Sequence, residues 1–131
     1  MKKAINPWSW QDNMLFSQAV EVTHAKSTLY CAGQASVNEL GQPIHAGDMA
    51  AQINQSFKNI EAVLQKGGYE LSDVIRLNYY TTDTGLFWAH YEVLKAQLSA
   101  LHCYPSATLI GVTALAFPEL MIEIEATAVK S

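Results

Sequence analysis

The segment that most constrains this chain is Met121-Ile122-Glu123-Ile124-Glu125-Ala126-Thr127-Ala128-Val129. Successive side chains of a strand leave on opposite faces. Ile122, Ile124, Ala126 and Ala128 therefore form one apolar face suited to lying under helices. Glu123 and Glu125 share the other face with Met121, Thr127 and Val129. Two acids on an otherwise uncharged face have two readings. One is an edge strand wetted by solvent. The other is the lining of a cleft at a subunit seam, with one carboxylate held for chemistry. Because the acids share a face, the alternation does not choose between them.

The rest of the chain is read around that strand. Residues 1–13 read as irregular or weakly extended, with room for an extra N-terminal strand. Leu15 to Val22 and Thr28 to Gln34 each alternate, and the short polar link between them predicts a hairpin. Gln34 to Gly47, with Asn38, Gly41 and Pro43, reads as a loop. Asp48 then stands at an N-cap position, and Met49, Ile53, Phe57, Ile60 and Leu64 recur at helical spacing. Gln52, Asn54, Gln55, Lys58, Asn59 and Glu61 are assigned to the wet side, and Gly67-Gly68 ends the helix in the left-handed conformation. Val74 to Thr82 reads as a strand. Phe87, Tyr91, Leu94, Leu98 and Leu101 make a second helical stripe, broken by His102-Cys103-Tyr104-Pro105. Ser106 to Val112 is another strand. The order β-β-α-β-α-β-β predicts one α+β domain over residues 1–131, with both helices on one face of the sheet. The other face is expected to be apolar and bare, and best closed against copies of the same chain.

A chain of 131 residues, half of them hydrophobic, can bury a core without metals or disulfides. Its net charge of −4 argues against nucleic acid or anionic membrane as a partner. No apolar run approaches the ~20 residues of a membrane span. Lys2 and Lys3 lead into Asn6-Pro7-Trp8 rather than an apolar run, so a cytoplasmic location without a secretory leader is expected. Cys31 and Cys103 read as buried small hydrophobes in a reducing compartment. There is no phosphate-cradling glycine loop, Ser-His-Asp order or metal-ligand cluster. His24, His45, His90 and His102 read as solvated or capping residues. Arg76 and Asn78 share a strand face, where a glutamate across the sheet would explain Arg76. Phe16, Trp88 and Tyr104 are core residues or the walls of a cleft.

Several segments in order resemble one known family. They are Phe16-Ser17-Gln18-Ala19-Val20, Cys31-Ala32-Gly33-Gln34, Ala46-Gly47-Asp48-Met49-Ala50-Ala51-Gln52, Asn59-Ile60, Gly67-Gly68, Ser72-Asp73-Val74-Ile75, Tyr104-Pro105-Ser106-Ala107-Thr108 and Ile122-Glu123-Ile124-Glu125-Ala126. The chain resembles the RidA or YjgF family, in older usage the L-PSP endoribonuclease family. The resemblance implies a chorismate-mutase-like fold, a homotrimer around a central barrel, and ligand clefts between subunits. It also implies hydrolysis of amino-acid-derived enamines and imines to keto acids and ammonia, with no cofactor and no metal.

Carried over position by position, the family's water-placing glutamate falls on Glu123 and its glycine on Gly33. The arginine that clamps a substrate carboxylate falls on Ala107, or one place to either side on Ser106 or Thr108, none of which can make that clamp. A cysteine becomes Leu109, a serine Ala32, a tyrosine Phe16, and an asparagine falls on Trp88. Tyr104, Thr108 and the backbone at Gly33 are the candidate hydrogen-bond partners of a ligand. Arginine pairs bidentately with carboxylates; its loss, with four polar or reactive groups turned apolar, implies a neutral, aromatic or cyclic small molecule instead of 2-aminoacrylate. The expected chemistry is hydrolysis or tautomerisation of an enamine or imine with Glu123 as base. The alternative is a non-catalytic small-molecule-binding or regulatory trimer. RNA cleavage is disfavoured by the acidic balance and the lack of a basic patch or histidine pair.

Overall fold

The fold is a computed structural model describing residues 1–99, 101 and 104–131. The expected readings of Cys103 and of the helix break at His102-Cys103 lie outside the described residues. The first helix, α1 (Met49–Lys66), follows its local signals closely. The Asp48 carboxylate accepts from the Ala51 N–H at 3.0 Å, satisfying one of the donors orphaned at a helix start. At the other end Gly68 turns left-handed with φ +80°. The Tyr69 N–H then reaches back to the Leu64 carbonyl at 2.8 Å and the Gly68 N–H to Gln65 at 3.0 Å, a Schellman motif. Met49, Ile53, Phe57, Ile60 and Leu64 are all buried.

The 122–130 segment forms β7 (Ile122–Lys130), and it is a central strand. The edge-strand reading is therefore corrected. On one side it pairs antiparallel with β3 (Ser27–Tyr30) and β4 (Gln34–Ala35), and on the other with β5 (Val74–Thr81). β6 (Ser106–Gly111) pairs parallel with β5 and completes a mixed sheet. Ile122, Ile124, Ala126 and Ala128 are each at most 1% exposed and pack with α1 and with Leu94 and Leu98 of α3 (Tyr91–Leu98). This is the α+β arrangement expected, a mixed sheet with helices on its apolar face.

The expected hairpin does not form. The second strand is confined to β2 (Ala19–Val22), which pairs with an N-terminal strand, β1 (Lys2–Ile5), while β3 pairs with β7. Alternation marks a strand but carries no information on its partner. The second helix is also divided, into α2 (Thr84–Ala89) and α3. At the joint the His90 N–H bonds Phe87 three residues back, and its ring Nδ1 lies 3.0 Å from the Leu86 carbonyl, as an Nδ1–H tautomer would place it. Gln52 is not on the wet side. It is wholly buried, and its side chain donates to the His45 and Glu119 carbonyls at 3.1 and 2.9 Å and accepts from the Met121 N–H at 2.8 Å.

The sheet face away from the helices is polar rather than apolar. Arg76, Asn78 and Tyr80 of β5 stand beside Glu123, Glu125 and Thr127 of β7, so an uncovered greasy face is not what would drive self-association. None of the helices among the described residues is long and apolar enough to cross a membrane.

Candidate functional site

Two groups of residues draw attention, and the topology sets them apart. The first is built by the chain before β2. A short 3-10 turn, Asp12–Met14, ends at Leu15 in the left-handed region with φ 60°, which costs a branched side chain roughly 1–2 kcal/mol. That reversal is held in place beyond it. The Tyr91 hydroxyl donates to the Met14 carbonyl at 2.7 Å. Ser17 bridges to Ser106 of the sheet's edge strand, its N–H donating to the Pro105 carbonyl at 3.0 Å and its hydroxyl to that of Tyr104 at 2.7 Å.

The segment so held closes a cavity of about 290 Å³ against the sheet edge and the helix pair. Trp10, Met14 and Phe16 form one wall, and Phe87, Trp88 and Tyr91 the second. Ala107, Thr108 and Leu109 of β6 form the third, with Tyr79 beside Leu109 on β5. The rings meet largely edge to face: Trp10 and Phe16 are 5.8 Å apart at 71°, and Phe87 and Trp88 5.3 Å apart at 82°. That is the geometry aromatic quadrupoles favour. Trp10 and Trp88 are 63% and 48% exposed and form the rim. Burial pushes the Tyr91 hydroxyl up to about 12 and raises the Tyr79 hydroxyl well above its ordinary range.

The second group lies across the sheet. Glu123 is registered between Ala35 of β4 and Tyr80 of β5. Its carboxylate lies over Gly33: a Cβ added there would fall 2.5 Å from Glu123 Oε2 and 2.9 Å from Cγ. No other residue allows that approach. Ala32 beside it is exposed. Glu125, which shares the face, is already engaged. Its Oε1 accepts from Asn78 Nδ2 at 2.9 Å and from the Tyr80 hydroxyl at 3.1 Å. No such bond reaches the Glu123 side chain among the described residues, so of the two acids it is the uncommitted one. Arg76 has no glutamate partner either: Nη2 donates to Thr108 Oγ1 at 2.5 Å and Nη1 to Ser106 Oγ at 3.4 Å.

The structure thus brings together Phe16, Trp88, Ala107, Thr108 and Leu109 in one cavity, and Ala32, Gly33 and Glu123 at another place. Tyr104 joins neither group; with Lys2, Asn6, Asp12 and Phe16 it lines a neighbouring depression of about 390 Å³. Trp10, Met14 and Tyr79 are cavity residues that the sequence did not single out. Phe87 and Tyr91 read there only as helix core. Among the described residues no three His, Cys, Asp or Glu side chains converge to hold a metal.

Comparison with known proteins adds a second line of observation. A family model described as endoribonuclease L-PSP matches residues 11–130. A RutC family protein of Pyrococcus horikoshii is 33% identical over 115 residues, 88% of this chain and 86% of its own. The 2-iminobutanoate/2-iminopropanoate deaminase of Escherichia coli is 30% identical over 102 residues, 76% of this chain and 77% of its own. A crystal structure of a Rid family protein of unknown function from Yersinia pestis superimposes with a TM-score of 0.87 at 34% identity, over 98% of both chains.

Proposed function

Because the chain belongs to the endoribonuclease L-PSP family, the RidA/YjgF group, we propose that it hydrolyses a small neutral imine or enamine in a cleft shared between two copies of a homotrimer. The observation that carries this reading is the separation of the two residue groups. Glu123 stands on the polar face of β7, whereas Ala107 and Leu109 project to the helix side of β6. β5 lies between those strands, which puts them about 10 Å apart at the usual strand spacing. One chain cannot close the carboxylate onto the cavity, but the cavity of one copy facing the Gly33–Glu123 edge of the next completes a site.

In that site Glu123 takes a proton from water as the oxygen attacks the C=N carbon of the imine. The carboxylic acid returns the proton to nitrogen, giving a carbinolamine. The carboxylate then takes the carbinol O–H proton and passes it to nitrogen as the C=O bond forms and the C–N bond breaks, so that ammonia leaves with the ketone or aldehyde. An enamine enters the same sequence once protonated at carbon. The missing side chain at Gly33 leaves room for the carboxylate there, and its oxygens are unengaged among the described residues and open to water. The relatives named as deaminases act on imino acids; here the position that resembles their carboxylate clamp is Ala107. The nearest guanidinium, Arg76, is tied to Ser106 and Thr108 hydroxyls. A substrate without a carboxylate fits that arrangement.

The test is ammonia release from a panel of neutral imines, comparing the wild type with Glu123→Gln. A fall of about 100-fold or more is expected, as for loss of a general base; unchanged release removes Glu123 from the mechanism. One observation favours a second reading, a binding trimer without turnover: no acid–base group other than tyrosine lines the aromatic cavity. Saturable ligand binding with no ammonia released would establish it.

A further inference from the structure

The N-terminal wall of the aromatic cavity is fastened more firmly than its exposure explains. Trp10 is 63% exposed, yet Gln11 beside it is wholly buried. The Gln11 side chain donates from Nε2 to the Trp8 carbonyl at 3.0 Å and to Asp12 Oδ1 at 3.3 Å, and its Oε1 accepts from Gln18 Nε2 at 3.0 Å. The Gln18 N–H in turn donates to Asn6 Oδ1 at 2.7 Å. A buried amide is tolerated only with its bonds made, and here every partner comes from the same N-terminal segment.

That segment also carries the left-handed Leu15, and it is tied to α3 through the Tyr91 hydroxyl and to the start of β6 through Ser17. A strained residue held from several sides points to a function for the shape it keeps. What the fastening fixes is the backbone on both sides of Trp10, whose ring rests edge to face on Phe16 and forms the cavity rim with Trp88. Trp10 precedes the residues 11–130 that match the family model, so the family assignment gives it no role.

We propose that Trp10 is the specificity-determining residue of the cavity, its ring setting the upper size of an uncharged aromatic ligand, and that Gln11 is the positioning residue that keeps it there. No charged side chain lines the cavity, so an ion would lose its hydration and gain no counter-ion. At about 290 Å³ the space is at the small end of ligand pockets. A compact aromatic group is therefore admitted, and one extended by a further ring meets the Trp10 indole. The link of this size limit to turnover rests on the function proposed above, whereas the limit itself is a property of binding.

The probes are benzyl alcohol and 4-biphenylmethanol, which share one polar group and differ by one ring, titrated into the full-length protein and followed by calorimetry. The wild type is expected to bind the longer probe more weakly, against the gain that added apolar area ordinarily brings. Trp10→Ala should shift the affinity ratio towards 4-biphenylmethanol by about tenfold or more, the relief of an overpacked contact. Gln18→Leu leaves Trp10 and the buried Gln11 in the chain but removes the donor to Gln11 Oε1, and it should shift the ratio the same way by less. A wild type that prefers the longer probe, a ratio unchanged by Trp10→Ala, or no binding of either probe would overturn the proposal. So would a Trp10→Ala protein that changes its oligomeric state and not its preference, because the ring would then serve contact between copies. An unchanged ratio in Gln18→Leu removes the positioning role of Gln11. Glu123→Gln separates the two readings. Ammonia release that persists in it defeats the catalytic reading, whereas the size limit stands or falls by the affinity ratio alone.

Discussion

Gln52 and Gly33 show how much a single position can carry. Gln52→Leu keeps the bulk of the side chain but leaves the His45 and Glu119 carbonyls and the Met121 N–H without their partner. All three bonds are partly buried, and an unmet hydrogen bond at such a place costs about 1 kcal/mol. We expect a loss of about 2–4 kcal/mol in urea unfolding, larger than for an exposed glutamine of the same helix. Gly33→Ala acts differently. Its φ is ordinary, so backbone strain is not at issue; the new methyl meets Glu123 from Cγ to Oε2 and the whole side chain must swing away. The thermal midpoint should move little while turnover falls toward that of Glu123→Gln. A variant with full activity would show that the carboxylate's place over Gly33 does not matter. Neither role was legible in the sequence. Gln52, between apolar stripe positions, reads as solvent-facing, and Gly33 reads by resemblance as a backbone partner for a ligand rather than as room for Glu123, because both residues act through groups distant along the chain.

At the scale of elements, legibility followed locality. Helix α1 was readable from cap to Schellman turn because all its signals lie within about twenty residues of one another. The apolar face of β7 was readable for the same reason. The pairing of β3 with β7, across nearly a hundred residues, was not, and the expected hairpin failed there. The division between α2 and α3 also escaped notice, since the apolar stripe continues through His90. That joint places Tyr91 against the segment before β2, and it carries a pH prediction. The Tyr91 proton is held to about 12 in the folded chain against a reference value of 10. Above pH 10 the unfolded chain therefore loses this proton first. The group's contribution to stability is intact below pH 10, declines as pH rises towards 12, and is then lost. Tyr79, raised by burial as well, adds a slope of the same sign. Thermal midpoints should fall across this window, and Tyr91→Phe should fall less steeply. Equal slopes would mean that other groups dominate alkaline unfolding.

For the whole molecule, the family and the mixed sheet with helices on one face were legible from ordered short segments, none decisive alone. The sheet face expected to be bare and apolar offers no greasy surface for oligomers, because Arg76, Asn78, Tyr80 and Glu125 make it a hydrogen-bonded polar surface. Glu123 stands on the polar face of β7, whereas Ala107 and Leu109 line the cavity from the helix side of β6, two strands away. Alternation along single strands, read without strand order, hides this: Glu123 and Ala107 look like members of one site until β5 is found between their strands.

That separation has a genetic consequence. On the proposed trimer with shared sites, Glu123→Gln spoils one half of each site and Leu109→Trp, which fills the cavity, spoils the other, so each variant alone should be inactive. Unfolded together in equal amounts and refolded, they reassemble at random, and about one site in four receives its two sound halves from different chains. Roughly a quarter of wild-type activity should return, and two defective alleles should complement each other in one cell. Failure to recover any activity from well-mixed assemblies would place both halves within a single chain.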